Sequence, residues 1–271
     1  ADWLTRTALE LHAVAIEPRD MGIEEPEELR RADGSSVYEV AGAKLFTSRR
    51  IVDAEQRIVA AAGRSDGHQL PIEAVDLALL ESVANSLTLN AGQTAMVRAM
   101  ATSGARVQLG IAPAGSGKTT AMAALARAWR ENGGAVVGLS PAAAAAAQLR
   151  SQIETHTDTL AKLVWSIEQH DLPKWASSIG PKTLVIIDEA GTADTLSLDV
   201  AIDFIVKRGG SVRLIGDDQQ LGAISAGGVL RDIASQRGAV HLNELLRFAD
   251  PAEGNASLAL REGRLESLGF Y

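Results

Sequence analysis

Val107-Gln108-Leu109-Gly110-Ile111-Ala112-Pro113-Ala114-Gly115-Ser116-Gly117-Lys118-Thr119-Thr120 is the stretch that decides how this chain folds. An apolar run, a glycine-bearing turn and the lysine-threonine start of a helix follow one another without a gap. A phosphate-cradling loop has the order G-x-x-x-x-G-K-[ST] between a strand and a helix. Residues 112–119 follow that order, with Ala112 where the first glycine would stand. Gly115 and Gly117 allow the backbone to curl until successive N–H groups point at one anion. A helix starting near Lys118 adds the positive end of its dipole to the same place. The candidate nucleotide contacts are therefore Ala114, Gly115, Ser116, Gly117, Lys118, Thr119 and Thr120. Lys118 is expected to bridge β- and γ-phosphate oxygens, and the Thr119 hydroxyl to ligate Mg²⁺. The predicted ligand is ATP with Mg²⁺. The bland alternative is a glycine-rich turn with an incidental lysine.

Working outward, residues 88–271 alternate short apolar runs with longer helical segments. Strands are expected at Val107–Ala112, Ala135–Leu139, Thr183–Ile187, Ser211–Ile215 and Ala239–Leu242, with helices near 118–132, 141–155, 159–170, 197–207 and 226–235. Apolar strands separated by helices imply an α/β fold whose mainly parallel sheet is covered on both faces. Ligands of such sheets bind beyond the carboxyl ends of the strands. Two further motifs stand at those ends. Thr183-Leu184-Val185-Ile186-Ile187-Asp188-Glu189 is a buried-strand pattern ending in two acids. Asp188 is expected to hold Mg²⁺ through a water and Glu189 to polarise the attacking water. Leu214-Ile215-Gly216-Asp217-Asp218-Gln219-Gln220-Leu221 has the same form, and Gln220 is the candidate sensor of the γ-phosphate.

The preceding segment, residues 1–87, reads as a small, mostly helical N-terminal domain. A short strand is expected at Val37–Val40. A helix capped by Thr47 or Ser48 spans 49–62, and a second helix spans about 72–87. The run Glu24-Glu25-Pro26-Glu27-Glu28 reads as solvated surface or linker. The net charge of −8 belongs mostly to this segment. It carries 9 Lys+Arg against 16 Asp+Glu, whereas residues 88–271 carry 17 against 18. The absence of cysteine excludes disulfides, thiolate metal sites and a cysteine nucleophile. No stretch reaches the ~18 apolar residues of a membrane helix. The expectation is a cytoplasmic protein with no membrane partner. Ala1 in place of Met suggests a fragment.

The order of these motifs resembles superfamily-1 helicases of the RecD-like branch, and is most similar to the helicase portion of conjugative relaxases of the TrwC/TraI type. The resemblance covers residues 88–271 and touches Leu45-Phe46-Thr47-Ser48-Arg49-Arg50. It implies a RecA-like P-loop ATPase domain, single-stranded DNA as partner, and 5′-to-3′ movement driven by ATP hydrolysis. By the same resemblance, Gln93 in Leu89-Asn90-Ala91-Gly92-Gln93 reads the adenine edge. Arg247 in Leu242-Asn243-Glu244-Leu245-Leu246-Arg247-Phe248 stabilises charge at the γ-phosphate. Gly138-Leu139-Ser140-Pro141 and the six alanines that follow resemble a segment contacting single-stranded DNA. Read from the residues alone, Ser140 is a helix N-cap and Pro141 the first helical position.

Such motors hold ATP between two RecA-like domains, and no second set of motifs follows Arg247. The expectation is therefore a first motor domain whose second is missing, with weak activity of the isolated chain. His12, His68, His156, His170 and His241 stand singly, so the histidine triad of a nicking domain is not expected. Two alternatives remain open at this point: another P-loop enzyme such as a small-molecule kinase, and a non-enzymatic remnant that docks partners.

Overall fold

A computed structural model of the chain describes residues 13–16, 45–85, 87–113, 115–216 and 228–242, with Ala256 and Ala259 as single helical positions. The chain divides into two compact units, Ala1–Ala54 and Glu55–Tyr271. In the first, β1 (Ala13–Ile16) and β2 (Leu45–Ser48) pair antiparallel, with Ala13 opposite Ser48 and Ile16 opposite Leu45. The Ser48 hydroxyl then accepts the N–H of Ile51 at 3.2 Å and opens α1 (Arg49–Ala62), as expected. The expected strand at Val37–Val40 and the acidic run at 24–28 lie outside the described residues.

The sequence expectation places a boundary at residue 87, whereas the second compact unit begins at Glu55. Helix α2 (Ile72–Ala84) buries Val75, Ala78 and Leu79 in the core of the second unit. Its sequence is apolar on two sides, and Leu77, Leu80 and Val83 remain exposed on the other. A helix apolar nearly all round does not announce from sequence which neighbour will cover it. The described residues of the first unit are a strand pair leading into a helix.

The second unit is built on six parallel strands: β3 (Val107–Ile111), β4 (Ala135–Ser140), β5 (Thr157–Thr159), β6 (Thr183–Ile187), β7 (Ser211–Gly216) and β8 (Val240–His241). Their order across the sheet is β5-β4-β6-β7-β3-β8. Side chains alternate between two apolar cores, one on each face. Val107, Leu109, Val185, Ile187, Val212 and Leu214 enter one core, and Val136, Leu184, Ile186 and Ile215 the other. The first core is closed by the end of α1 (Ile58, Val59 and Ala62), α6 (Leu160–Glu168), α7 (Lys174–Ser177), α8 (Thr195–Lys207) and α9 (Val229–Arg237). The second is closed by α2, α3 (Ala91–Ala101), α4 (Lys118–Glu131) and α5 (Ala143–Ile153). This is the doubly covered α/β sheet that the alternating pattern predicts.

Helix α4 lies deepest. Ala121, Ala124, Ala126 and Ala128 let it approach its neighbours closely, and Trp129 at 0% exposure fills the remaining space. The Trp129 indole N–H donates to the Lys182 carbonyl at 2.9 Å, so its one polar atom is satisfied. Helix α3, strand β5 and α7 are additions to the sequence expectation. Helix α5 begins at Ala143 behind an Ala142 N-cap, not at Pro141. Ser140 stays in strand β4 because it pairs with Thr159 of β5. Its buried hydroxyl has no hydrogen-bond partner, so it does not cap the helix as expected.

Candidate nucleotide site

The loop after β3 begins with Ala112 tied to β7, its N–H donating to the Gly216 carbonyl at 2.9 Å. Ser116 is fully buried, and both its N–H and its hydroxyl donate to the Pro113 carbonyl, at 3.2 and 2.8 Å. On either side of it the backbone turns left-handed, with φ +82° at Gly115 and +77° at Gly117. A Cβ would strain both positions, which explains why glycines stand there. Gly117 is also the N-cap of α4, so the helix's first unpaired N–H groups open onto the loop.

Strand β6 delivers the acids to the same edge. The Asp188 N–H donates to the Leu139 carbonyl at 2.9 Å, extending the sheet by one bond before the chain turns. Glu189 then adopts φ +55°, ψ +33°, a left-handed conformation unusual for a residue with a side chain. The turn leaves Asp188 buried and Glu189 exposed. Asp188 Oδ1 accepts the Glu189 N–H at 2.9 Å and lies 2.6 Å from Lys118 Nζ. Lysine and aspartate are 70 residues apart in sequence, and strand β7 separates their strands in the sheet. Two loops therefore converge at one point of the sheet's carboxyl edge. A close approach of backbones supports this point: a Cβ on Gly216 would lie 3.2 Å from the Gly191 N atom.

The donor set fits a magnesium triphosphate. The Asp188 carboxylate and the Thr119 hydroxyl are hard oxygen ligands of the kind Mg²⁺ selects. The Lys118 ammonium and the inward-turning loop backbone are anion ligands. Thr119 and Thr120 sit in the first turn of α4. Ala114, Gln220 and Arg247 lie outside the described residues. Gln93 is the third residue of α3, and its amide makes bonds within the chain. Oε1 accepts the Asn90 N–H at 2.9 Å and Nε2 donates to the Gly117 carbonyl at 3.0 Å. An amide has two hydrogens and two oxygen lone pairs, so these two bonds do not use up its capacity to meet a base edge. Asn90 escaped the sequence reading, although Asn-x-x-Gln is a legible capping-box signal. Its Oδ1 accepts the Gln93 N–H at 2.7 Å.

The family model of the AAA domain matches residues 88–271. The chain belongs to that family. Among curated relatives, the conjugal transfer protein TraA of Rhizobium radiobacter is 33% identical over 166 residues, which is 60% of this chain and 14% of the relative. The probable conjugal transfer protein TraA of Sinorhizobium fredii is 32% identical over 160 residues, 59% of this chain and 14% of the relative. The chain thus spans about one seventh of the length of the curated relatives it matches. Among solved structures, the Pif1 helicase from Candida albicans superposes with a TM-score of 0.48 at 16% identity, over 64% of this chain and 44% of that one. The AAA match begins at residue 88, yet the core of the unit it describes also takes in α2 and the end of α1. Among the described residues, no helix is long and apolar enough to cross a membrane.

Proposed function

We propose that this AAA-family chain binds ATP with Mg²⁺ on the loop 112–120, hydrolyses the γ-phosphate, and serves as a motor domain of a DNA helicase in the conjugative relaxase class. The observation that carries the reading is the 2.6 Å approach of Lys118 Nζ to Asp188 Oδ1. A lysine at a helix start and an acid at the end of a separate strand have no structural need to meet at an open edge. A bound phosphate and its cation need both.

In this reading Lys118 donates to phosphoryl oxygens and neutralises charge that grows as the bond breaks. The Thr119 hydroxyl and the Asp188 carboxylate hold the cation, which supplies Lewis-acid polarisation when bound. Glu189, exposed beside them, accepts a proton at its carboxylate from the attacking water. Single-stranded DNA as the partner is supported by the conjugal transfer relatives and by the order of the motifs. Gln220 and Arg247 are assigned to γ-phosphate sensing and charge stabilisation on the motif order alone.

Equilibrium titration with ATP and Mg²⁺, followed by phosphate release with and without single-stranded DNA, tests the proposal. The unsubstituted chain is expected to bind ATP only with Mg²⁺ present, and Lys118→Ala to weaken that binding by about a hundredfold, roughly 2.7 kcal/mol. Equal binding by Lys118→Ala would overturn the site. ATP turnover that ignores single-stranded DNA in the longer protein would favour a different P-loop enzyme.

A further inference from the structure

Ser140 ends strand β4 with a hydroxyl that the fold leaves unused. The residue is 0% exposed, and its Oγ has no hydrogen-bond partner among the described residues. A buried hydroxyl without a partner costs free energy that alanine at the same place would not. Its neighbours in the sheet supply a reason for it. Leu139 stands opposite Ile187 of β6, which puts Ser140 and Asp188 together in the next row. Asp188 is still held to the sheet there, because its N–H donates to the Leu139 carbonyl at 2.9 Å. Leu139 and Ile187 enter the first core, whereas Val136, Leu184 and Ile186 enter the second. Side chains alternate along a strand, so Ser140 and Asp188 both belong to the second side. That side is covered by α4, whose first residue, Lys118, reaches Asp188. Neighbouring strands lie about 4.8 Å apart, so a hydroxyl and a carboxylate in one row can meet. On its other flank Ser140 pairs with Thr159, whose Oγ1 already accepts the Lys162 N–H at 3.1 Å.

We infer that Ser140 is a positioning residue of the cation site: its hydroxyl donates to the Asp188 carboxylate when phosphate draws the Lys118 ammonium away. The inference rests on the nucleotide reading above. Asp188 Oδ1 takes two donors in the structure, the Lys118 ammonium at 2.6 Å and the Glu189 N–H at 2.9 Å. A triphosphate competes for the ammonium. The carboxylate then has one donor fewer at the moment when it must hold a cation in a fixed direction. A bond from Ser140 replaces the lost donor from the adjacent strand and fixes the carboxylate's orientation. The hydroxyl costs stability without nucleotide and recovers it with nucleotide, so Ser140 favours the loaded form.

Ser140→Ala deletes the oxygen and keeps the rest of the small side chain. Its thermal midpoint without nucleotide is expected to equal or exceed that of the unsubstituted chain, because an unpartnered buried group is removed. Its affinity for ATP with Mg²⁺ is expected to fall about tenfold. Mn²⁺ in place of Mg²⁺, which takes the same oxygen ligands and binds them more tightly, is expected to relieve most of that loss. Unchanged affinity in Ser140→Ala would overturn the inference alone. So would a lowered midpoint, which would make the hydroxyl a part of the fold. A loss that Mn²⁺ leaves in place would do the same, because it would put the effect of the hydroxyl away from the cation. Failure of the unsubstituted chain to bind ATP with Mg²⁺ would overturn the nucleotide site, and this inference with it.

Discussion

The two edges of the parallel sheet use charge in opposite ways. At the carboxyl edge Lys118 faces the Asp188 carboxylate at 2.6 Å, and Glu189 faces solvent. At the amino edge Arg213 faces main-chain carbonyls, and Arg106 divides its donors between carbonyls and Asp66. Arg213, at 0% exposure, donates to the carbonyls of Met100 at 3.1 and 2.8 Å, of Ser103 and Ala105 at 3.1 Å, and of Val212 at 3.1 Å. Burial pushes its guanidinium down to about 10, so it remains charged at neutral pH. Arg106 donates to the carbonyls of Gly209 and Gly210 and to Asp66. A cation whose donors are all taken by the backbone is committed to holding the fold. A cation that meets one carboxylate at an open edge can exchange that partner for a ligand.

Substitutions on the two edges should therefore separate chemistry from stability. The largest effect is expected at Glu189. Glu189→Gln removes the proposed proton acceptor and should lower ATP turnover by a hundredfold or more, about 3 kcal/mol in the barrier. ATP affinity and the unfolding midpoint should stay near those of the unsubstituted chain, because the side chain is exposed. Steady-state phosphate release against equilibrium titration makes the check, and equal losses of affinity and turnover would deny Glu189 a chemical role.

Next in size is Arg213→Met, which keeps much of the volume and deletes every donor. Several carbonyls then lie buried without partners, each costing on the order of 1 kcal/mol. The summed loss of stability is expected near 3 kcal/mol by urea denaturation. A midpoint unchanged by the substitution would show that these carbonyls find water, and the contrast between the edges would fail.

The same contrast explains what the sequence revealed. The candidate site was legible because its residues are consecutive in 115–120 and in Asp188-Glu189, and because each group directly follows an apolar strand. Strand alternation and turn glycines gave the sheet for a similar reason, since they are local signals. Arg213 was not legible. Its acceptors are backbone atoms as far as 113 residues away, and any residue type supplies a carbonyl. The placement of α2 was hidden because apolar residues occupy both its sides. Helix α3 was obscured by Gly92 and Thr94, weak helix formers near its start, although its capping box was there to be read. Ser140 misled because a cap residue is also a good end to a strand, and only its pairing with Thr159 decides between them.

A smaller effect of opposite sign is expected at Glu189 itself. Its left-handed backbone, at φ +55°, suits glycine better than any residue with a Cβ. Glu189→Gly should raise stability by about 0.5–1 kcal/mol while abolishing turnover. Thermal unfolding that falls in this variant would mean the side chain contributes more to the fold than its strained backbone costs. The sign tests whether the left-handed turn at the end of β6 is held at a cost to the fold.

The smallest expected effect concerns pH. His68 meets Trp129 edge-on, with ring centroids 5.3 Å apart at 88°, and its Nε2 is buried without a hydrogen-bond partner. Burial, aided by Lys182, lowers its pKa from the usual 6.5. His156 stacks on Trp175 at 5.0 Å and 25°. Its pKa is lowered by burial and by Arg150 and partly restored by Asp158. The unfolded chain binds protons at the ordinary value, so between that value and the lowered ones it holds more protons than the folded chain. Stability must then rise with pH across this window and fall as the solution is acidified through it, levelling once both states are charged. Asp66, held well below the carboxylate range first by Arg64 and then by Arg106, contributes stability that is lost only at far lower pH. It therefore stays out of the measurement. His156 has 41% of its side chain exposed, and solvent softens its share. His68→Gln should accordingly flatten the decline in unfolding midpoint between about pH 7 and 5.5 by a degree or two, and His156→Gln by less. An acid slope that both variants leave untouched would place its origin in the carboxylates instead, and would mean that the apolar walls around His68 open when the imidazole takes its proton.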